Sequence, residues 1–166
     1  MFNKKFFKTI GIILGLALIA IQFFKPEQNT GGNATQSIAN AYPVPERVKT
    51  ILNSACMDCH SNTTKYPWYS NVQPVAWWLA DHVNDGKKHL NFDEFMTYRP
   101  YRQYHKLEEI DEVIQEGEMP MSSYTLAHSE ARLDANQKEI LINWSKALRD
   151  SMSLHYPKDS LEKPKK

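Results

Sequence analysis

Five consecutive residues constrain this chain more than any other feature: Cys56-Met57-Asp58-Cys59-His60. The pattern is C-x-x-C-H. Two thiols three positions apart on a helical turn can each add to a vinyl group of one porphyrin, and the histidine that follows can place an imidazole under the iron. The chain has two cysteines and six histidines, so chance alone would produce this order only about 4 times in 10,000. Three other uses of the pattern fit less well. A structural zinc site needs four ligands, usually as two Cys/His pairs, and His82, His89, His105, His128 and His155 are scattered without a second pair. A thioredoxin-like redox pair needs a βαβ context that the sequence lacks. A plain disulfide leaves His60 without a role. The motif therefore predicts one covalently bound haem c, with Cys56 and Cys59 as thioether links and His60 as the proximal iron ligand.

An iron held by one histidine has a sixth position to fill. Gly117-Glu118-Met119-Pro120-Met121 supplies a soft, neutral thioether directly after a helix stop, with Pro120 biasing Met119 toward extended backbone. Met119 is the expected distal ligand, and Met121 and His82 are the alternatives. His82 shares an apolar helix face with Val75, Trp78 and Leu79, where packing is the more ordinary role for a histidine.

Residues 1–25 hold four of the 20 basic residues and none of the 19 acidic ones. Lys4, Lys5 and Lys8 lead into an apolar run. Taken from Phe6 to Phe24, 19 residues make a helix of about 28 Å against a bilayer core of about 30 Å. The expectation is a single N-terminal transmembrane helix. A cleaved signal peptide is the competing reading, but Ile21-Gln22-Phe23-Phe24-Lys25-Pro26 offers no small-x-small cleavage site. The lysines would stay inside and the rest would lie outside. Residues 26–43 are Asn/Thr/Gly-rich without periodicity and read as a flexible linker.

Residues 44–150 read as one all-α domain. A helix from Pro45 carries Val48, Ile51, Leu52 and Ala55 on one face and ends at Cys56. A second runs from Pro74 to Asn84, with Asp85-Gly86 as its stop. Asn91-Phe92-Asp93-Glu94 caps a short helix that breaks at Tyr98–Arg102. A third spans residues 104–116, burying Leu107, Ile110, Val113 and Ile114. Its opposite face carries Glu108, Glu109, Asp111, Glu112 and Glu116, a solvated face or a docking patch for a basic redox partner. Asp134 and Gln137 form a capping box for a last helix reaching Arg149, and residues 151–166 read as a polar, disordered tail. Outside residues 1–25 the formal charge is −3, which argues against nucleic acid as a partner.

The layout resembles a class I cytochrome c. More closely it resembles the bacterial haem-binding domain family of membrane-anchored single-haem proteins. The matching phrases are Cys56-Met57-Asp58-Cys59-His60-Ser61-Asn62, Tyr66-Pro67-Trp68-Tyr69, Trp77-Trp78, His82-Val83, Leu90-Asn91-Phe92, Gly117-Glu118-Met119-Pro120 and His128-Ser129-Glu130-Ala131-Arg132-Leu133. The resemblance implies a cytochrome c-like helical fold, haem attached on the periplasmic side of the cytoplasmic membrane, and no particular substrate. Two functions are consistent with it: electron transfer to a redox protein partner, or a haem enzyme or sensor in which His82, His105 or His128 faces an open distal position.

Overall fold

A computed structural model describes residues 4–163. The helices are α1 (Lys4–Ile21), α2 (Glu46–Ala55), α3 (Met57–His60), α4 (Val75–His89), α5 (Pro100–Glu116), α6 (Ser122–Ala127), α7 (Ala135–His155) and α8 (Lys158–Leu161). Short 3-10 turns lie at Ile38–Asn40, Trp68–Asn71, Phe92–Thr97 and Ser129–Ala131, and there is no strand among the described residues. The fold is all-α, as expected.

The core follows from the apolar stripes. Val48, Ile51 and Leu52 of α2 meet Leu107, Ile110 and Ile114 of α5 and Leu141, Trp144, Leu148 and Met152 of α7, with Phe92 and Phe95 closing one end. The interface of α5 with α7 is the most extensive in the domain. The Trp144 indole N–H donates to the Pro43 carbonyl over 3.0 Å, tying the last helix to the residues just before α2. The Asp134–Gln137 capping box forms at the start of α7. Gly117 stops α5 with φ 76°, a left-handed conformation that favours glycine.

Several boundaries differ from expectation. The disordered tail expected from residue 151 is corrected: α7 runs on to His155 because Met152, 1 % exposed, continues its buried stripe, and the chain folds back through α8 to bury Leu161. The break expected at Tyr98–Arg102 is a helix start, with Pro100 at the first position of α5, where its missing N–H costs nothing. Asp111 is not on the solvated face. It is buried between α5 and α7, where it pairs with Arg149 and accepts from the Ser145 hydroxyl.

The expected transmembrane helix is corrected. α1 ends at Ile21, and its first five residues include Lys4, Lys5 and Lys8. No helix among the described residues is long and apolar enough to cross a membrane. The helix stops short of Phe24 because residues 22–24 tighten into i to i−3 hydrogen bonds and the Gln22 side chain turns to Gln73, drawing the chain toward α4. Every side chain of α1 is nonetheless exposed or half-exposed.

The segment 26–43, expected to be a free tether, is hydrogen-bonded to the domain. Asn29 donates to the Ser61 carbonyl and the Thr64 hydroxyl and accepts from Lys87 Nζ, while its backbone N–H donates to the Tyr66 hydroxyl. Further along, Gly32 N–H donates to the Asn62 carbonyl.

Candidate functional site

The apolar periodicity of α2 ends at Ala55, and Cys56 caps it while opening α3. Cys56 and Cys59 are unpaired and half-buried. Burial pushes the Cys56 thiol up to about 12 and the Cys59 thiol up to about 11, with the neighbouring thiol and the Asp58 carboxylate as respective second causes. Both are therefore thiols, not thiolates, at neutral pH.

α4 packs across α3, with Gly86 against Cys59. A Cβ on Gly86 would stand 2.6 Å from the Cys59 carbonyl oxygen and 3.0 Å from its Cβ. The expectation that Asp85-Gly86 ends the second helix is thus corrected. α4 continues to His89, and Gly86 lies inside it because the crossing leaves no room for a side chain.

The same crossing orients His60. Its Nδ1 lies 3.0 Å from the Gly86 carbonyl oxygen and 2.9 Å from that of Leu90. Both partners are acceptors, so Nδ1 carries the proton and Nε2 keeps its lone pair. Burial pulls the imidazole below its ordinary pKa, against the opposing pull of the two carbonyls, which favours the neutral ring. A neutral histidine with Nδ1–H held by backbone carbonyls is a preoriented metal ligand through Nε2. The ring also meets Phe92 edge-on, centroids 6.5 Å apart.

The turn leaving His60 is fixed by buried polar groups. Asn62 N–H donates to Asp93 Oδ2 over 2.9 Å, and Asn91 Nδ2 donates to Asn62 Oδ1 over 2.8 Å. The Thr64 hydroxyl donates to the Asp58 carbonyl over 2.6 Å.

A second cluster, which no local sequence pattern marks as a unit, adjoins Cys59. A narrow cleft is lined by Asp58, Cys59, Tyr69, Leu79, Tyr124 and His128. The Tyr124 hydroxyl donates to Asp58 Oδ2 over 2.8 Å, and burial together with that bond pushes its pKa upward. The His128 ring stacks on Tyr124 at 4.4 Å and 17°. Its Nδ1 faces Glu130 Oε1 at 3.2 Å, so its Nε2 accepts from the Tyr69 hydroxyl over 2.6 Å.

A family model described as a haem-binding domain matches residues 16–147. The chain belongs to the haem-binding domain family. Among curated proteins and among solved structures, none matches this chain.

The residues of this haem-binding domain suit haem by their donor set: two free thiols and one neutral imidazole with its second nitrogen committed to backbone. Among the described residues no three His, Cys, Asp or Glu side chains come together as a site for a lone metal ion, so the zinc alternative gains nothing. The structure brings Cys56, Cys59 and His60 onto one turn and ties that turn to α4. Met119 follows the α5 stop, half-buried, its N–H donating to the Val113 carbonyl over 3.2 Å. Met121 caps α6, the helix whose Tyr124 reaches Asp58 beside Cys59. The Met-Pro loop and the motif are therefore joined through α6. His82 is engaged elsewhere: its Nδ1–H donates to the Trp78 carbonyl over 2.7 Å, and its ring lies 4.1 Å from that indole. The Tyr69–His128 pair spans 59 positions, a separation that no local pattern reveals.

Proposed function

We propose that this haem-binding domain is a monohaem c-type cytochrome that transfers electrons at the periplasmic face of the cytoplasmic membrane. Cys56 and Cys59 hold the haem through thioethers, His60 Nε2 is the proximal ligand, and Met119 is the distal ligand. The bound haem supplies one-electron exchange; the protein sets its potential through ligand identity and burial. The observation that carries the reading is the double anchoring of His60 Nδ1 by Gly86 and Leu90, which presents Nε2 and fixes the ring. α1, with apolar side chains exposed on every face, attaches the domain to the membrane, and a redox protein is the exchange partner.

One observation favours a second reading. The Glu130–His128–Tyr69 chain beside Cys59 is an acid–base array in a cleft, suited to a haem enzyme or sensor of peroxide or a diatomic gas. Titration of the haem-loaded protein with carbon monoxide and imidazole separates the two. Electron transfer with Met119 in place predicts no binding without denaturation. Ready binding, lost or altered in His128→Ala, supports the enzyme or sensor.

A further inference from the structure

The exit of α1 is bolted to the start of α4. Gln73 N–H donates to Gln22 Oε1 over 2.9 Å, and Gln22 Nε2 donates back to the Gln73 carbonyl over 3.2 Å. The Phe24 carbonyl accepts from both Gln73 Nε2 and the Trp77 indole N–H, each over 2.8 Å. These four bonds leave a group of apolar side chains facing outward around the junction. Phe23 is 82 % exposed, Phe24 67 %, Val72 44 %, Val75 38 % and Trp77 37 %. Phe23 and Phe24 follow directly on α1, whose large apolar side chains are exposed as well. Contiguous exposed apolar surface of this kind marks an interaction site.

We propose that this junction is a membrane-docking face: Phe23, Phe24, Val72, Val75 and Trp77 insert at the lipid headgroup–acyl boundary and hold the haem-binding domain in one orientation on the bilayer. The inference deepens, and rests on, the reading that α1 lies in a membrane. A lipid surface is the occupant because Phe23 and Phe24 follow directly on α1, whose Ile and Leu side chains are exposed along its length and find no cover in the domain. Tryptophan suits the interface, where its ring is apolar and its N–H is satisfied, and the Trp77 N–H is already bonded inward to Phe24. Lys25, exposed and directly after Phe24, is placed for lipid phosphates.

The consequence is a fixed geometry for the site. α4 carries the patch at its first turn and crosses the C-x-x-C-H turn at Gly86. The eleven-residue step from Val75 to Gly86 is about 16 Å along the helix axis. The haem site is then held at a set distance from the bilayer and meets partners at the membrane surface instead of swinging on a tether.

The test uses the full-length haem-loaded protein with a bimane label on single replacements Val72→Cys, Val75→Cys, Leu14→Cys and Leu154→Cys, each in phosphatidylcholine/phosphatidylglycerol vesicles with plain or brominated acyl chains. All four positions are exposed, so the labels leave the core intact. The expected result is loss of emission in brominated lipid at 72, 75 and 14, with none at 154. Loss at 14 alone overturns the docking face and leaves the membrane reading standing. No loss at 14 or at 72 and 75 overturns both. Labels at 72 and 75 that are shielded from iodide yet unquenched by bromine overturn the lipid in favour of a protein partner or a second copy.

Discussion

His60 and Gly86 are joined in two ways across the α3–α4 crossing. The imidazole Nδ1–H donates to the Gly86 carbonyl over 3.0 Å, and the missing Gly86 side chain is what lets the Cys59 backbone come close enough for that bond. One glycine thus sets both the packing of the attachment turn and the orientation of the ligand.

Gly86→Ala is therefore destabilising despite the better helix propensity of alanine. The propensity gain is ~1 kcal/mol. The new Cβ meets a backbone oxygen at 2.6 Å, which cannot rotate away, and forced overpacking of this kind costs ~1–3 kcal/mol. The expected outcome is a lower Tm and less haem per chain, measured by thermal melts and by the pyridine haemochrome. An unchanged Tm with full haem would show that the crossing is looser than described.

Tyr124→Phe removes the hydroxyl that donates to the Asp58 carboxylate. Hydrogen bonds to charged groups contribute ~1.5–3 kcal/mol, and the half-buried site places this one toward the lower end. Urea unfolding should show a lower midpoint with the slope retained. A midpoint equal to that of the parent would mean that Asp58 is satisfied by water instead.

The two thiols give a pH prediction. Their pKa values are raised, to about 12 for Cys56 and about 11 for Cys59. A raised thiol pKa means less thiolate at neutral pH, and the thiolate is the species that reacts. In haem-free protein, iodoacetamide should alkylate both slowly at pH 8, with rates rising toward pH 11. Alkylation at pH 8 as fast as for a free cysteine, whose pKa is ~8.5, would contradict the burial of this turn.

Asn29→Ala cuts three side-chain bonds that hold the segment before α2 against Ser61, Thr64 and Lys87. Hydrogen exchange should speed up at residues 29–33 and 61–64 and stay unchanged in α7. Equal protection in the variant would show that the backbone bonds of Thr64 and Gly32 suffice.

What the sequence disclosed follows from the range of the forces involved. The α2, α5 and α7 stripes, the Asp134–Gln137 box and the Gly117 stop are local signals, and each is present in the structure. Gly86 was misleading because Asp-Gly is a local stop signal that a long-range contact overrides. Residues 26–43 were misleading for the opposite reason: Asn, Thr and Gly are as suited to bonding another segment as to lying free. The Tyr69–His128 bond joins residues 59 positions apart, and nothing local announces it, although Tyr124 and His128 are helical i, i+4 neighbours. Asp111 took its place in a charged run, yet one turn of α7 supplies both Ser145 and Arg149 to bury it.

Iron ligation is read most directly from the visible and near-infrared absorption spectrum of the ferric protein, made in a host that attaches haem c, beside that of Met119→Ala. Covalent haem, a low-spin spectrum and the weak methionine-to-iron charge-transfer band are expected, with that band lost in the variant. A high-spin spectrum in the parent protein, or a protein that emerges from that host without haem, would contradict ligation of a covalent haem by His60 and Met119.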